Sequence, residues 1–106
     1  MLQVRETSEG REISAWLIFQ SGKEIGKVHG RHTRGGYQVD LWDYRAGDGG
    51  EYFQQKKLTY SGAGAMPGVN NAVAGMVFCG REIPSVDDGR ELSALEEMGF
   101  QVHKAI

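Results

Sequence analysis

Between residues 12 and 60 the chain alternates β-favouring runs with short glycine-bearing turns. EISAWLIFQ (12–20) ends at Ser21-Gly22, a two-residue hairpin turn. KEIGKVHGRH (23–32) carries Gly26 and Gly30 inside it and stops at Thr33-Arg34-Gly35-Gly36. YQVDLWDY (37–44) alternates apolar and polar residues, and the loop RAGDGG separates it from a fourth run, EYFQQKKLTY (51–60). Residues 2–7 add a candidate fifth strand. Connections this short suit antiparallel neighbours, because a parallel crossover needs a dozen or more residues. The expected architecture for this half is therefore an antiparallel meander.

After Tyr60 the pattern changes. SGAGAMPG reads as a loop, with Pro67 suited to the first turn of a helix. VNNAVAGMVF has apolar residues at 69, 73, 76 and 77, which predicts a helix ended by Gly80. Ser85 and Asp88 form an S-x-x-D start for a second helix, with a narrow apolar stripe of Leu92, Leu95 and Met98 and a stop at Gly99. The tail FQVHKAI alternates, placing Phe100, Val102 and Ile106 on one side, and is expected to rejoin the sheet. The fold class is α+β: an antiparallel meander of four to six strands with two short helices packed on one face, forming a single domain over residues 1–106.

Composition narrows the function classes. The 16 glycines are scattered singly and in pairs, so they mark turns and bulges rather than a linker. The net charge of −2 excludes affinity built on bulk positive charge. A lone cysteine, Cys79, excludes an internal disulfide framework and a multi-cysteine zinc site. No apolar run approaches the roughly 18 residues a membrane span needs. The N-terminal MLQVRETSEG lacks the basic-then-apolar order of a signal peptide, so the cytoplasm is the expected compartment.

Strand register carries the most functional information. A two-residue turn at Ser21-Gly22 pairs residues whose numbers sum to 43, and one at Arg34-Gly35 pairs those that sum to 69. Ala15, Val28 and Leu41 then share a row, with Leu17, Gly26, Gly30 and Val39 on the same face; this small-residue apolar surface is the expected core. The opposite face collects Trp16, Lys27 and Trp42 in one row, Ile18, Ile25 and Tyr44 in the next, and Ser14, His29 and Asp40 in a third. Lys23 and Arg31 also fall there, because strand side chains alternate with period two. Two helices of about eleven residues cover only one face of such a sheet. The Trp-bearing face is then left open, covered by other strands, or buried against another chain. Burial of both indoles in an internal layer is the ordinary alternative. A single bulge at Gly26 would scramble the rows.

Other constellations have bland explanations. Ser14, His29 and Asp40 look like a nucleophile–base–orienter set, but a flat row lacks a strained nucleophile turn and an oxyanion hole. Gly62 to Gly68 precedes a helix as a phosphate loop does, with spacing that matches no nucleotide fingerprint. Asp43, Asp48 and Glu51 surround a loop without EF-hand spacing. His29-x-x-His32 with Asp40 or Asp43 puts its two histidines on opposite strand faces. Cys79 paired with His103 would be a nucleophile, whereas cysteines in apolar runs such as MVFC are mostly inert. No pattern calls for a metal or a cofactor, and no catalytic residue is assigned. Lys23, Lys27, His29, Arg31 and Arg34 beside Trp16, Trp42 and Tyr44 suggest a stacking platform for single-stranded nucleic acid. The acidic neighbours Asp40 and Asp43 stand against it.

SGAGAMPGVNNAVAGM and LSALEEMGFQVHKAI give the last third its one resemblance. It is similar to small uncharacterised proteins of phages and other mobile elements, in which a Gly-rich stretch and an Ala-rich helix precede a Leu-rich helix ending in Gly-aromatic. The resemblance is confined to that third and its motifs are unspecific. It implies an accessory factor that binds a host protein, inhibition of host defence being one such role. The expected function is thus a non-catalytic interaction protein, self-associating as a homodimer or bound to a host partner through Trp16, Ile18, Ile25, Lys27, Trp42 and Tyr44. A nucleic-acid-binding module and a small enzyme are the alternatives.

Overall fold

The computed structural model describes residues 13–45, 52–59, 68–86 and 91–106. Its elements in chain order are β1 (Ser14–Gln20), β2 (Lys23–Thr33), β3 (Gly36–Asp43), β4 (Tyr52–Thr59), α1 (Val69–Val73), β5 (Val77–Phe78), β6 (Arg81–Glu82), α2 (Ser93–Glu97) and β7 (Gln101–Lys104). The expected mixed architecture is present. Five strands form an antiparallel sheet in the order β4-β3-β2-β1-β7, and β5 pairs with β6 in a small second sheet. The candidate strand at 2–7 lies outside the described residues.

The turn at Ser21-Gly22 is a tight hairpin with both residues at positive φ, 53° and 78°, a backbone twist that matches the flanking strands. Next to it Gln20 pairs with Lys23 and Phe19 with Glu24, the register expected from the turn. The register then shifts: Ile18 pairs with Gly26, Trp16 with Val28 and Ser14 with Gly30, leaving Ile25 as an extra residue in β2. Beyond this bulge β1 is offset by one residue, and a one-residue offset exchanges the faces of every side chain. The β2–β3 pairing keeps the expected register, with Lys27 opposite Trp42 and Val28 opposite Leu41.

Two expectations are corrected by that bulge. The core face holds Trp16 and Ile18 with Val28, Val39 and Leu41, while Ala15 and Leu17 turn to the other side. Gly26 and Gly30 do lie on the core face. A Cβ on Gly26 would stand 2.6 Å from the Phe78 ring, and one on Gly30 would meet the Tyr37 hydroxyl and the Trp16 ring. The bare backbone gives those rings their seats.

The helices are shorter than the apolar spacing predicts. α1 stops at Val73 because Gly75, at φ +84°, turns the chain; Gly75 N–H then donates to Ile83 O at 2.9 Å and Ile83 N–H to Met76 O at 2.7 Å. Gly80 therefore ends no helix: Cys79 and Gly80, both at positive φ, form the β5–β6 turn. α2 starts at Ser93 rather than near Ser85, since Leu92 is fully buried with φ 52°. Its stop is as expected. Gly99 at φ +97° donates to Glu96 O and Phe100 to Leu95 O, the paired bonds of a Schellman end.

Both helices bury their apolar side chains against the Trp16 side of the sheet, where Val69, Ala72, Val73, Leu92, Ala94 and Leu95 join Ile18, Val28, Val39 and Leu41. Buried Asn70 ties the helices together. Its Nδ2 donates to Ser93 Oγ at 2.9 Å, and its Oδ1 accepts from Ala94 N–H at 3.2 Å. α2 has no side-chain cap of its own, so α1 serves one of its open N-terminal donors.

Candidate functional site

The face of the sheet away from the helices carries one row across all five strands: His103, Leu17, Lys27, Trp42 and Phe53. The Trp42 ring is its centre. Lys27 Nζ lies 4.6 Å from the ring centroid, a cation–π contact. The His29 ring stands edge-on at 4.8 Å and the Phe53 ring is tilted at 5.0 Å. Phe53 is 47% exposed, so the cluster has an accessible rim.

A polar lattice borders the aromatics. Arg31 Nη2 donates to Gln38 Oε1 at 3.2 Å, and Gln38 Nε2 donates to Asp40 Oδ1 at 3.2 Å. Gln55 Nε2 donates to the same Asp40 oxygen at 2.9 Å. Lys57 sits opposite Gln38 on β4. Burial lowers the His29 pKa, the ammonium of Lys27 lowers it further, and Asp40 opposes both. The imidazole is therefore neutral at pH 7. Nε2 of His29 and Nε of Arg31 are enclosed without a hydrogen-bond partner among the described residues.

The structure divides the six residues expected to share this face. Lys27 and Trp42 are on it, paired as the sequence implies. Tyr44 follows Trp42 beyond the end of β3; its hydroxyl donates to Glu24 at 2.8 Å. Trp16, Ile18 and Ile25 are corrected to the core, with exposures of 3%, 0% and 2%. Trp16 Nε1–H donates to Glu91 Oε2 at 3.3 Å, and Lys104 lies 5.8 Å over its ring. The cause is the bulge at Ile25, which turns β1 over relative to β2.

The basic set divides as well. Lys27, His29 and Arg31 alternate along the helix-free face. Lys23, opposite Gln20, falls on the side of Ile18, and Arg34 stands exposed in the turn before β3. Phe53 and Lys57, which the strand pattern did not single out, complete the site. Their signal was the parity of a fourth strand whose register against Trp42 the turn chemistry alone left open.

The remaining constellations come apart or lie elsewhere. Ser14 pairs with Gly30, so Ala15 rather than Ser14 shares the row of His29 and Asp40. Cys79 lies against Asp43, not His103: Asp43 Oδ2 accepts from Cys79 N–H at 2.7 Å, and the thiol contacts Oδ1 at 3.9 Å. Burial and the Asp43 carboxylate raise the Cys79 pKa, which keeps it a thiol. His103 packs edge-on against Phe19 at 5.0 Å. Asp48, Glu51, Asp88 and Gly62 to Pro67 lie outside the described residues. Among the described residues no three His, Cys, Asp or Glu side chains converge on a metal position, and no helix is long and apolar enough to cross a membrane.

No protein-family model, curated protein or solved structure matches the chain.

Proposed function

We propose that the chain is a small non-catalytic interaction protein that binds a protein partner on its helix-free sheet face. The role is that of a phage or mobile-element accessory factor acting on a host protein. The observation that supports this reading is the Trp42 cluster: one indole flanked by Lys27, His29 and Phe53, with Phe53 about half exposed. Aromatic side chains beside cations, on a rigid strand scaffold, are what protein interfaces select as anchors.

The test presents the immobilised chain, as wild type and as Trp42→Ala, to a host-cell lysate. A partner retained by the wild type and lost by Trp42→Ala is expected, with the tryptophan emission of the purified complex shifted to the blue. A partner retained equally by both proteins would move the binding site off this face.

Single-stranded nucleic acid is the second reading, favoured by one observation. Lys27, Arg31 and Lys57 share this side with the Trp42 and Phe53 rings, while of the acids there Glu24 is engaged by Tyr44 and Asp40 by two glutamines. Three phosphate contacts would give a log–log salt slope of about −2, using the single-strand value of roughly −0.7 per phosphate. Titration of a labelled oligothymidylate across a salt series distinguishes the readings. Under the second reading the oligothymidylate binds with that slope and Lys27→Glu abolishes binding; under the first it does not bind at any salt concentration.

A further inference from the structure

β4 is an edge of the sheet: among the described residues it pairs with β3 alone. Among the described residues the large hydrophobic side chains left exposed are Tyr52, Phe53 and Val77, and all three lie at this edge. Gln54 joins them. Its side-chain amide donates to Val77 O at 2.6 Å and accepts from Val77 N–H at 3.2 Å, fixing β5 beside β4.

The direction of the open backbone groups follows from the ladder. Tyr44 N–H donates to Ile25 O at 3.0 Å, which makes 25 and 44 a hydrogen-bonded pair of the β2–β3 ladder. Antiparallel pairs alternate between bonded and non-bonded, so Trp42, Asp40 and Gln38 turn their backbone groups toward β2. Tyr37, Val39, Leu41 and Asp43 then bond Leu58, Lys56, Gln54 and Tyr52. The Leu58 carbonyl, which lies against Gly36, agrees with this assignment. Phe53, Gln55, Lys57 and Thr59 therefore present their N–H and C=O groups outward.

We propose that this edge pairs antiparallel with β4 of a second copy, about a two-fold axis at Gln55, to make one continuous ten-stranded sheet. A two-fold axis normal to the sheet keeps the helices of both copies on one side and matches odd residues with odd ones. Of the registers this allows, the one with Gln55 opposite Gln55 pairs every residue from 52 to 58. It sets Phe53 opposite Lys57, Gln54 opposite Lys56 and Tyr52 opposite Leu58. Sliding by one residue pair in one direction sets Lys56 against Lys56; in the other it sets Phe53 against Gln55 and pairs only residues 52 to 56 among those described. Like charges directly opposite destabilise a strand pair, whereas a lysine across from an aromatic ring stabilises it. Lysines on an edge usually deter pairing. Here Lys56 is held inward, its Nζ donating to Ala74 O at 2.7 Å, and Lys57 has a ring to face.

The dimer shares Phe53 and Lys57 with the partner-binding face, and Trp42 and Gln55 separate the two readings: Trp42→Ala is expected to lose the partner with the oligomeric state unchanged, and Gln55→Pro to lose the dimer with the Trp42 cluster intact. Sedimentation equilibrium of the full chain is expected to give twice the protomer mass of 11.7 kDa at high concentration. Gln55→Pro removes an outward N–H, a position where an edge strand tolerates proline, and should return the mass to that of one chain. Phe53→Lys, which opposes two lysines in this register, should raise the dissociation constant at least tenfold, and Phe53→Lys with Lys57→Glu should restore it. A protomer mass at every concentration overturns the proposal. So does a dimer that neither Gln55→Pro nor Phe53→Lys weakens, or a Phe53→Lys defect that Lys57→Glu does not repair.

Discussion

Two rows of side chains cross the sheet one residue apart, and each contains a tryptophan. Trp16 lies between Lys104 and Val28, with Leu41 beyond; Trp42 lies between Lys27 and Phe53. The first indole is sealed in the core that α1 and α2 help to close, its N–H taken by Glu91. The second is flanked by side chains of its own sheet, one of which, Phe53, is half exposed. Neither residue type nor local sequence separates them. Register does: one extra residue at Ile25 decides which indole is mortar and which is surface.

The largest expected effect breaks this contrast directly. Trp16→Ala should cost about 3–5 kcal/mol in urea unfolding, as for a buried aromatic. Trp42→Ala should cost about 1–2 kcal/mol, the scale of a ring contact and a cation–π contact together. Equal losses would mean that both faces are core. Next in size is Gly26→Ala. Its Cβ would press on the Phe78 ring and on the Trp42 carbonyl, both at 2.6 Å, and the backbone atom cannot swing aside. A loss of about 1–3 kcal/mol is expected. Gly35→Ala, with no atom within 4 Å of its Cβ, should be near neutral by the same measurement.

The smallest effect sharpens the electrostatics of the helix-free face. His29 has its pKa below the ordinary 6.5, so the unfolded chain binds the proton more readily than the folded one. Stability is fully present above about pH 6.5 and falls as the pH drops toward the folded-state pKa. Urea midpoints at pH 7 and pH 5 should differ less in His29→Gln than in the wild type. An unchanged difference would show that His29 is not held neutral by burial and Lys27.

The parts of the molecule legible in the sequence were those fixed by local chemistry. Ser21-Gly22 marked its turn, the four strand runs fell within about two residues of their observed ends, and Lys27 was correctly set against Trp42. What stayed hidden depended on contacts between distant segments. Isoleucine suits a regular strand as well as a bulge, so nothing at Ile25 announced the offset that sent Trp16 and Ile18 inward. The apolar spacing through Val69, Val73, Met76 and Val77 looked helical throughout. Pairing of Gly75 and Met76 with Ile83 nevertheless draws the second half into a hairpin. Leu92, at positive φ and fully buried, shows packing overriding the propensity that placed a helix start at Ser85. Half of the candidate site was therefore readable, namely the half that lies on β2 and β3.

Asn70 has a bearing on the order in which the chain can assemble. A five-residue helix is far below the length that holds together alone in water. The first turn of α2 borrows an acceptor from a side chain 24 positions upstream, so that turn is completed only once Asn70 is in place. The hairpins joining β1, β2 and β3 close over two-residue turns and need no such help. We therefore expect assembly to run from the meander outward, with the helical cap the last part to become permanent.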